Sequence, residues 1–151
     1  MTTAVDAPVK TDPGRVLAID YGERRIGLAV SDPTRTIASP AGFVTRRAGK
    51  RPPVAELVRQ AHALEATGLV LGLPLDDEGR ETPRSEEVRP VGGGLERRTG
   101  LSVTLLDERY TTAAALRAIR EMQGSTRGRR GDVDALAAAI LLQHALATLP
   151  R

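Results

Sequence analysis

"RVLAIDYGERRIGLAVSD", residues 15–32, is the stretch whose reading decides the fold. Val16 to Ile19 form an apolar run of the kind buried on both faces of a sheet, and the run stops on Asp20. Tyr21-Gly22 and a charged turn (Glu23, Arg24, Arg25) follow, and a second apolar run, Ile26 to Val30, leads to Asp32. A turn this tight joins neighbouring antiparallel strands. Asp20 is the awkward residue. A carboxylate buried without a partner costs several kcal/mol or is driven to its neutral form, so its position asks for a cation.

Reading outward, Ile37 to Thr45 gives a third strand, and "GKRPP" breaks the chain. Val54 to Ala66 has the apolar spacing of an amphipathic helix, with Gly68 as its C-cap. "LVLGLPL" (69–75) reads as a buried strand, followed by the polar loop "DDEGRETP". Ser85 to Arg98 reads as a helix broken at Gly92-Gly93-Gly94, since each glycine costs about 1 kcal/mol relative to alanine. Leu101 to Leu106 is a fifth strand. A helix from Ala113 to Met122, capped by Thr111 or Thr112, and a last helix from Asp132 to Leu149 complete the pattern. Strands alternating with helices after an antiparallel start indicate an α/β fold: a mixed five-stranded sheet with helices on both faces. Residues 1–14 read as a disordered lead-in, and 15–151 as a single domain.

Composition narrows the chemistry. The chain has no cysteine and only two histidines, His62 and His144, so thiolate catalysis is excluded and a zinc site is a poor fit. The lack of cysteine fits a reducing cytoplasm, and no apolar run is long enough to span a membrane. Net charge is +3, but the pI of about 9.9 tilts the chain towards polyanions. Arginines cluster at Arg46, Arg47 and Arg51, at Arg97 and Arg98, and in "RGRRG", which holds Arg127, Arg129 and Arg130. The last group lies in a Gly/Ser-rich loop and is the candidate nucleic-acid grip. Tyr21, Phe43 and Tyr110 are the only aromatics, so base stacking is not a repeated device.

Acids stand at three strand ends: Asp20, then Asp76 and Asp77, then Asp107 and Glu108. If the first, fourth and fifth strands are parallel neighbours, these acids converge on the edge where such sheets build their sites. For Asp76-Asp77 an ordinary polar turn is the simpler account, and Arg109 offers Asp107 a local salt bridge. On the last helix Asp134 falls in an arc with Val133, Ala137, Ile140, Leu141 and His144, whereas Asp132 reads as the N-cap. Carboxylates converging without histidine or cysteine suit Mg²⁺ or Mn²⁺. Such ions hold phosphates and activate water, and a pair about 4 Å apart serves phosphodiester cleavage. Without a cation the clustered charges repel, so neutralising Asp134 is expected to stabilise the fold.

The pieces "LAIDYGERRIGLAVSD", "VLGLPL", "LLDERYTTAAA" and "GDVDALAAAILL", in this order over about residues 15–147, closely resemble the YqgF/RuvX family. The resemblance implies an RNase H-like fold and a nuclease that processes the 5′ end of precursor 16S rRNA. An earlier assignment of the family, by analogy with RuvC, is Holliday junction resolvase. It also implies a catalytic, metal-binding triad of Asp20, Glu108 and Asp134, with Asp107 and Arg109 auxiliary. In this chain Asp76-Asp77 stands where the family more often has asparagine and an apolar residue, and Tyr110 where it usually has leucine. Asp-x-Gly before a second strand also opens the actin, Hsp70 and sugar-kinase ATPases, which need a second lobe that 151 residues do not hold. A non-catalytic RNA-binding assembly factor is the other alternative. The expected partner is nucleic acid, RNA before DNA. With no dimer seam in the pattern, monomer and homodimer both stay open.

Overall fold

The computed structural model describes residues 13–46, 50–109, 111–113, 116 and 130–149. Its strands are β1 (Arg15–Tyr21), β2 (Arg25–Ser31), β3 (Ala38–Thr45), β4 (Ala66–Leu73) and β5 (Val103–Asp107). Its helices are α1 (Val54–Ala63), α2 (Pro83–Thr99) and α3 (Arg130–Thr148). The strands form one sheet in the order β3-β2-β1-β4-β5. β2 is antiparallel to both β1 and β3, while β1, β4 and β5 run parallel. The mixed five-stranded sheet and the parallel set expected from the sequence are both present.

Alternation along β1 sorts the two faces. Leu17, Ile19 and Tyr21 join Leu69, Leu71 and Leu73 of β4 in a core covered by Leu57 and Ala61 of α1 and Val88, Val91 and Leu95 of α2. Val16 and Ala18 point the other way, to a core with Val70, Ala138, Leu142 and Ala145, the last three from α3. Alanines on α3 let it lie close on the sheet. Its far end is pinned to the β3 edge by Gln143, which accepts from Ala38 N–H (3.1 Å) and donates to Thr36 O (3.0 Å).

Several boundaries differ from expectation, among them that of β5, which runs Val103–Asp107 and so includes Asp107. Helix α1 stops at Ala63 because Glu65 takes a left-handed turn (φ 56°), so the reversal precedes Gly68, which is paired within β4. Helix α2 is unbroken through Gly92-Gly93-Gly94. Thr82 and Ser85 form a reciprocal capping box, Gly100 closes the other end at φ 71°, and Gly92 is buried. A Cβ there would meet Leu71 Cδ2 at 3.4 Å, an ordinary contact with the sheet. Packing and caps outweigh the glycine cost. Helix α3 begins at Arg130, so Asp132 lies in its first turn and is not its N-cap, and His144 is exposed rather than on the inner arc. β4 ends at Leu73, leaving Pro74 and Leu75 in the following loop. The expected helix over 113–122 and most of the lead-in fall outside the described residues, although Gly14 N–H donates to Pro33 O at 2.9 Å.

Candidate active site

Asp20 is not beyond the end of β1 but inside its ladder, opposite Gly27 of β2. By alternation its side chain shares the α3 face with Val16 and Ala18. It is 4% exposed. Two glycines flank it. Gly27 is one. The other is Gly72 of β4, next to Leu71, the register partner of Ile19.

Each glycine makes room for another acid. A Cβ on Gly27 would stand 2.0 Å from the backbone oxygen of Asp134, so α3 can close on β2 only because the side chain is missing. A Cβ on Gly72 would stand 2.5 Å from Glu108 Oε2 and 3.0 Å from Leu141 Cδ2. Glu108, 2% exposed, leaves the sheet directly after β5, and the Thr111 hydroxyl donates to its carbonyl at 2.8 Å. Asp134 is 7% exposed. The structure therefore gathers Asp20, Glu108 and Asp134 on one face and one edge of the sheet. An isolated glycine inside a strand marks a close approach, and "RIGLAV" and "VLGLPL" carried that signal unread.

The cation partner is Arg25, which the sequence reading missed. Its Nε donates to Asp134 Oδ2 at 2.8 Å, both side chains being largely buried. Its Nη2 is buried with no hydrogen-bond partner among the described residues. Clustered repulsion is thus offset at Asp134, and the expectation that neutralising this residue stabilises the fold is reversed: its loss strands a buried guanidinium.

The donor set suits a hard cation: three carboxylates, no thiol and no imidazole. Among the described residues no three acid or histidine side chains stand close enough together to hold an ion as they are. Asp134 faces Arg25 instead.

The auxiliary residues divide differently. By alternation Asp107 lies on the α2 face, and it binds Arg109 through Nε and Nη2 at 2.8 Å. That side-chain bond holds its carboxyl below the usual range. Arg109 also donates to Asp77 O at 3.3 Å, tying the loop after β4 to the end of β5. Asp76 organises that loop by accepting from Arg80 N–H (2.8 Å) and Glu78 N–H (3.0 Å), which keeps its pKa low, so the ordinary-turn account holds for it. Asp32 does the same between β2 and β3, accepting from Ile37 N–H (2.7 Å) and Thr36 N–H (2.8 Å). Its pKa falls far below the usual carboxylate value, chiefly through the Ile37 bond.

Among the arginines, Arg46 is a packed residue rather than a free surface charge. It stacks 4.5 Å from the Tyr21 ring centroid and pairs with Glu87. Burial, above all, raises the Tyr21 pKa. Arg127 and Arg129 lie outside the described residues, as does the side chain of Arg130, whose backbone opens α3.

This architecture has close sequence relatives. The RuvX family profile, described as "Holliday junction resolvase", matches residues 14–148. A Rhodospirillum rubrum protein is 43% identical over 92% of this chain and 87% of its own length. One from Clavibacter sepedonicus is 39% identical over 89% and 84%, and both bear the name "Putative pre-16S rRNA nuclease". The Thermus thermophilus RuvC structure superposes with a TM-score of 0.50 at 18% identity, covering 87% of this chain and 93% of that one, a likeness of fold. With three buried acids on one sheet edge and a profile match over nearly its whole length, the chain belongs to the RuvX family of RNase H-like nucleases.

Proposed function

We propose that the chain is a divalent-metal-dependent nuclease that hydrolyses phosphodiester bonds at Asp20, Glu108 and Asp134, acting in the cytoplasm on the 5′ end of precursor 16S rRNA. The observation that carries this reading is the glycine pair on either side of Asp20: Gly72 yields its side-chain space to the Glu108 carboxylate, and Gly27 yields its own to the α3 backbone at Asp134. Burying three carboxylates on one face of the sheet opposes stability, and a site for Mg²⁺ or Mn²⁺ gives that burial a use. The names borne by the relatives support the rRNA substrate.

In this reading the three carboxylates would hold the metal, which would supply charge stabilisation for the phosphate and an activated water. Water adds to phosphorus and a bridging P–O bond breaks. Arg25 holds the Asp134 carboxylate in the low-dielectric face of the sheet, and α3 keeps solvent off Asp20. Arg127, Arg129 and Arg130 lead directly into α3 and supply the phosphate grip, with RNA the preferred nucleic acid.

The test is cleavage of single-stranded RNA, duplex DNA and four-way junctions by purified protein in Mg²⁺, Mn²⁺ and EDTA, with Asp20→Asn as the near-isosteric control. Metal-dependent RNA cleavage abolished by Asp20→Asn is the expected result. Wild-type turnover in that variant would falsify the site. Cleavage restricted to junctions would favour the resolvase reading, which the family description supports. Binding without cleavage under any metal would favour an assembly factor.

A further inference from the structure

Arg25 opens β2, and alternation along the strand fixes the face it takes. Ile26 and Leu28 belong to the core under α1 and α2, so Arg25, Gly27 and Ala29 point to the α3 face. Asp20 is opposite Gly27, which makes Arg25 its diagonal neighbour on that face. The Asp134 backbone lies over Gly27, and its carboxylate accepts from Arg25 Nε at 2.8 Å. Asp134 is thus held over β2, whereas Glu108 stands over Gly72 of β4, on the other side of Asp20. Two strand spacings, about 10 Å, separate β2 from β4. Among the described residues no three acids or histidines are close enough to share an ion. For Asp134 to join Asp20 and Glu108 on one cation, its carboxylate must turn away from Arg25.

We propose that Arg25 is an exchangeable counter-ion: it neutralises Asp134 in the metal-free protein and gives that carboxylate up when a divalent cation is bound. The proposal rests on the nuclease reading and adds a control of metal affinity to it. Charge supplies the first reason. Three carboxylates buried on one face need positive charge near them when no metal is present, and Arg25 brings it. The form of the contact supplies the second. Arg25 reaches Asp134 through Nε, while its Nη2 is buried with no hydrogen-bond partner among the described residues. The pair therefore lacks the two parallel bonds of a full guanidinium fork, which makes it easier to part. The side chain is 13% exposed, so the released guanidinium has an outlet to solvent. The competing role for Arg25 is to orient Asp134 while the other carboxylate oxygen binds metal. That role predicts the opposite sign, because losing such an outer partner weakens metal binding about 10- to 100-fold. The placing of Asp134 over β2, away from Glu108, favours exchange.

The experiment needs no nucleic acid. Mn²⁺ binding is measured by titration calorimetry in wild type, Arg25→Met and Arg25→Lys, and each protein is melted in EDTA and in saturating Mn²⁺. Arg25→Met removes the competitor and should bind Mn²⁺ about 10-fold more tightly or better. It should melt below wild type in EDTA and regain most of the difference in Mn²⁺. Arg25→Lys keeps the charge and should stay closer to wild type in affinity. Equal or weaker Mn²⁺ binding by Arg25→Met overturns the exchange, and a clear weakening assigns Arg25 to orienting a metal-bound Asp134. A second measurement uses wild type alone. In ¹⁵N-labelled protein the Arg25 Nε–H should exchange slowly with solvent in EDTA, and saturating Mg²⁺ should shift its resonance and speed that exchange. A resonance as protected in Mg²⁺ as in EDTA overturns the proposal, whether or not Arg25→Met folds. Asp20→Asn separates the two levels. Wild-type Mn²⁺ binding that Asp20→Asn weakens and Arg25→Met leaves unchanged removes the exchange alone. No Mn²⁺ uptake by either wild type or Arg25→Met removes the metal reading as well.

Discussion

Replacing Gly27 by alanine tests the geometry on which the active-site assignment stands. The added Cβ would lie 2.0 Å from Asp134 O and 2.5 Å from its carbonyl carbon. Ordinary contact begins at 3.4 Å, so α3 and β2 must separate by about 1.4 Å. The obstacle is helix backbone, not the tip of a flexible side chain, so no rotamer change relieves it. Forced overpacking of this kind costs about 3 kcal/mol, which for a chain of this length lowers Tm by about 10 °C. The same displacement moves Asp134 away from Asp20, and a misplacement of about 1 Å costs on the order of 100-fold in rate. Gly72→Ala is the matched comparison. Its nearest obstacles are the ends of the Glu108 and Leu141 side chains, at 2.5 and 3.0 Å, which can swing. Melting should fall by only about 3 °C, while kcat drops on the order of 10- to 100-fold as Glu108 leaves its place. Thermal melts followed by circular dichroism and single-turnover cleavage well below Tm measure both. A Gly27→Ala protein that melts within about 2 °C of wild type and cleaves normally would refute the close approach of α3 to β2.

Arg25→Met and Asp134→Asn each break the buried pair and should destabilise by about 3 kcal/mol in urea melts; the double variant should recover part of the loss, and a neutral single variant would count against the pairing. Asp32→Ala should lower Tm at neutral pH by removing the acceptor for Thr36 and Ile37 N–H. Because the folded-state pKa of Asp32 is depressed, its contribution is present above about pH 4 and lost as pH falls through the folded value, so variant and wild type should converge in acid. Changing Arg127, Arg129 and Arg130 together to alanine should reduce the salt slope of binding by roughly 2 to 3 with kcat at saturation little altered; an unchanged slope would make the segment a plain linker.

Asp20 and Asp134 stood out as candidates because each breaks a strong local pattern, an acid closing an apolar run and an acid on the inner arc of a helix, whereas the choice of Glu108 over Asp107 came from the family resemblance. The parallel set was legible because helices separate its strands. Arg25 was not, since it meets Asp134 across 109 residues of sequence and nothing near Arg25 marks it as buried. The placing of Gly27 beside Asp20, which lets α3 close on the sheet, depends on ladder register and on a helix that follows more than 100 residues later. Helix α2 misled in the opposite sense. Glycine propensity argued for a break, and the tertiary surface that Gly92 fits lies on β4 and β5. The predicted partner for Asp107, Arg109, was right because both sit in one turn.

Helix α3 supplies Asp134 and covers the sheet face that bears Asp20, yet it follows all five described strands. Synthesis is vectorial, so while β1 to β5 emerge from the ribosome, the α3 face of the sheet stays open and the acidic cluster lacks one member. At a translation rate of about 5–20 residues per second the interval between Glu108 and Asp134 lasts on the order of seconds. With the proposed site, a nuclease built in this order completes its cutting centre only once α3 has emerged. Whatever RNA the nascent protein meets during that interval, beginning with the ribosome that is making it, faces an enzyme that is not yet assembled.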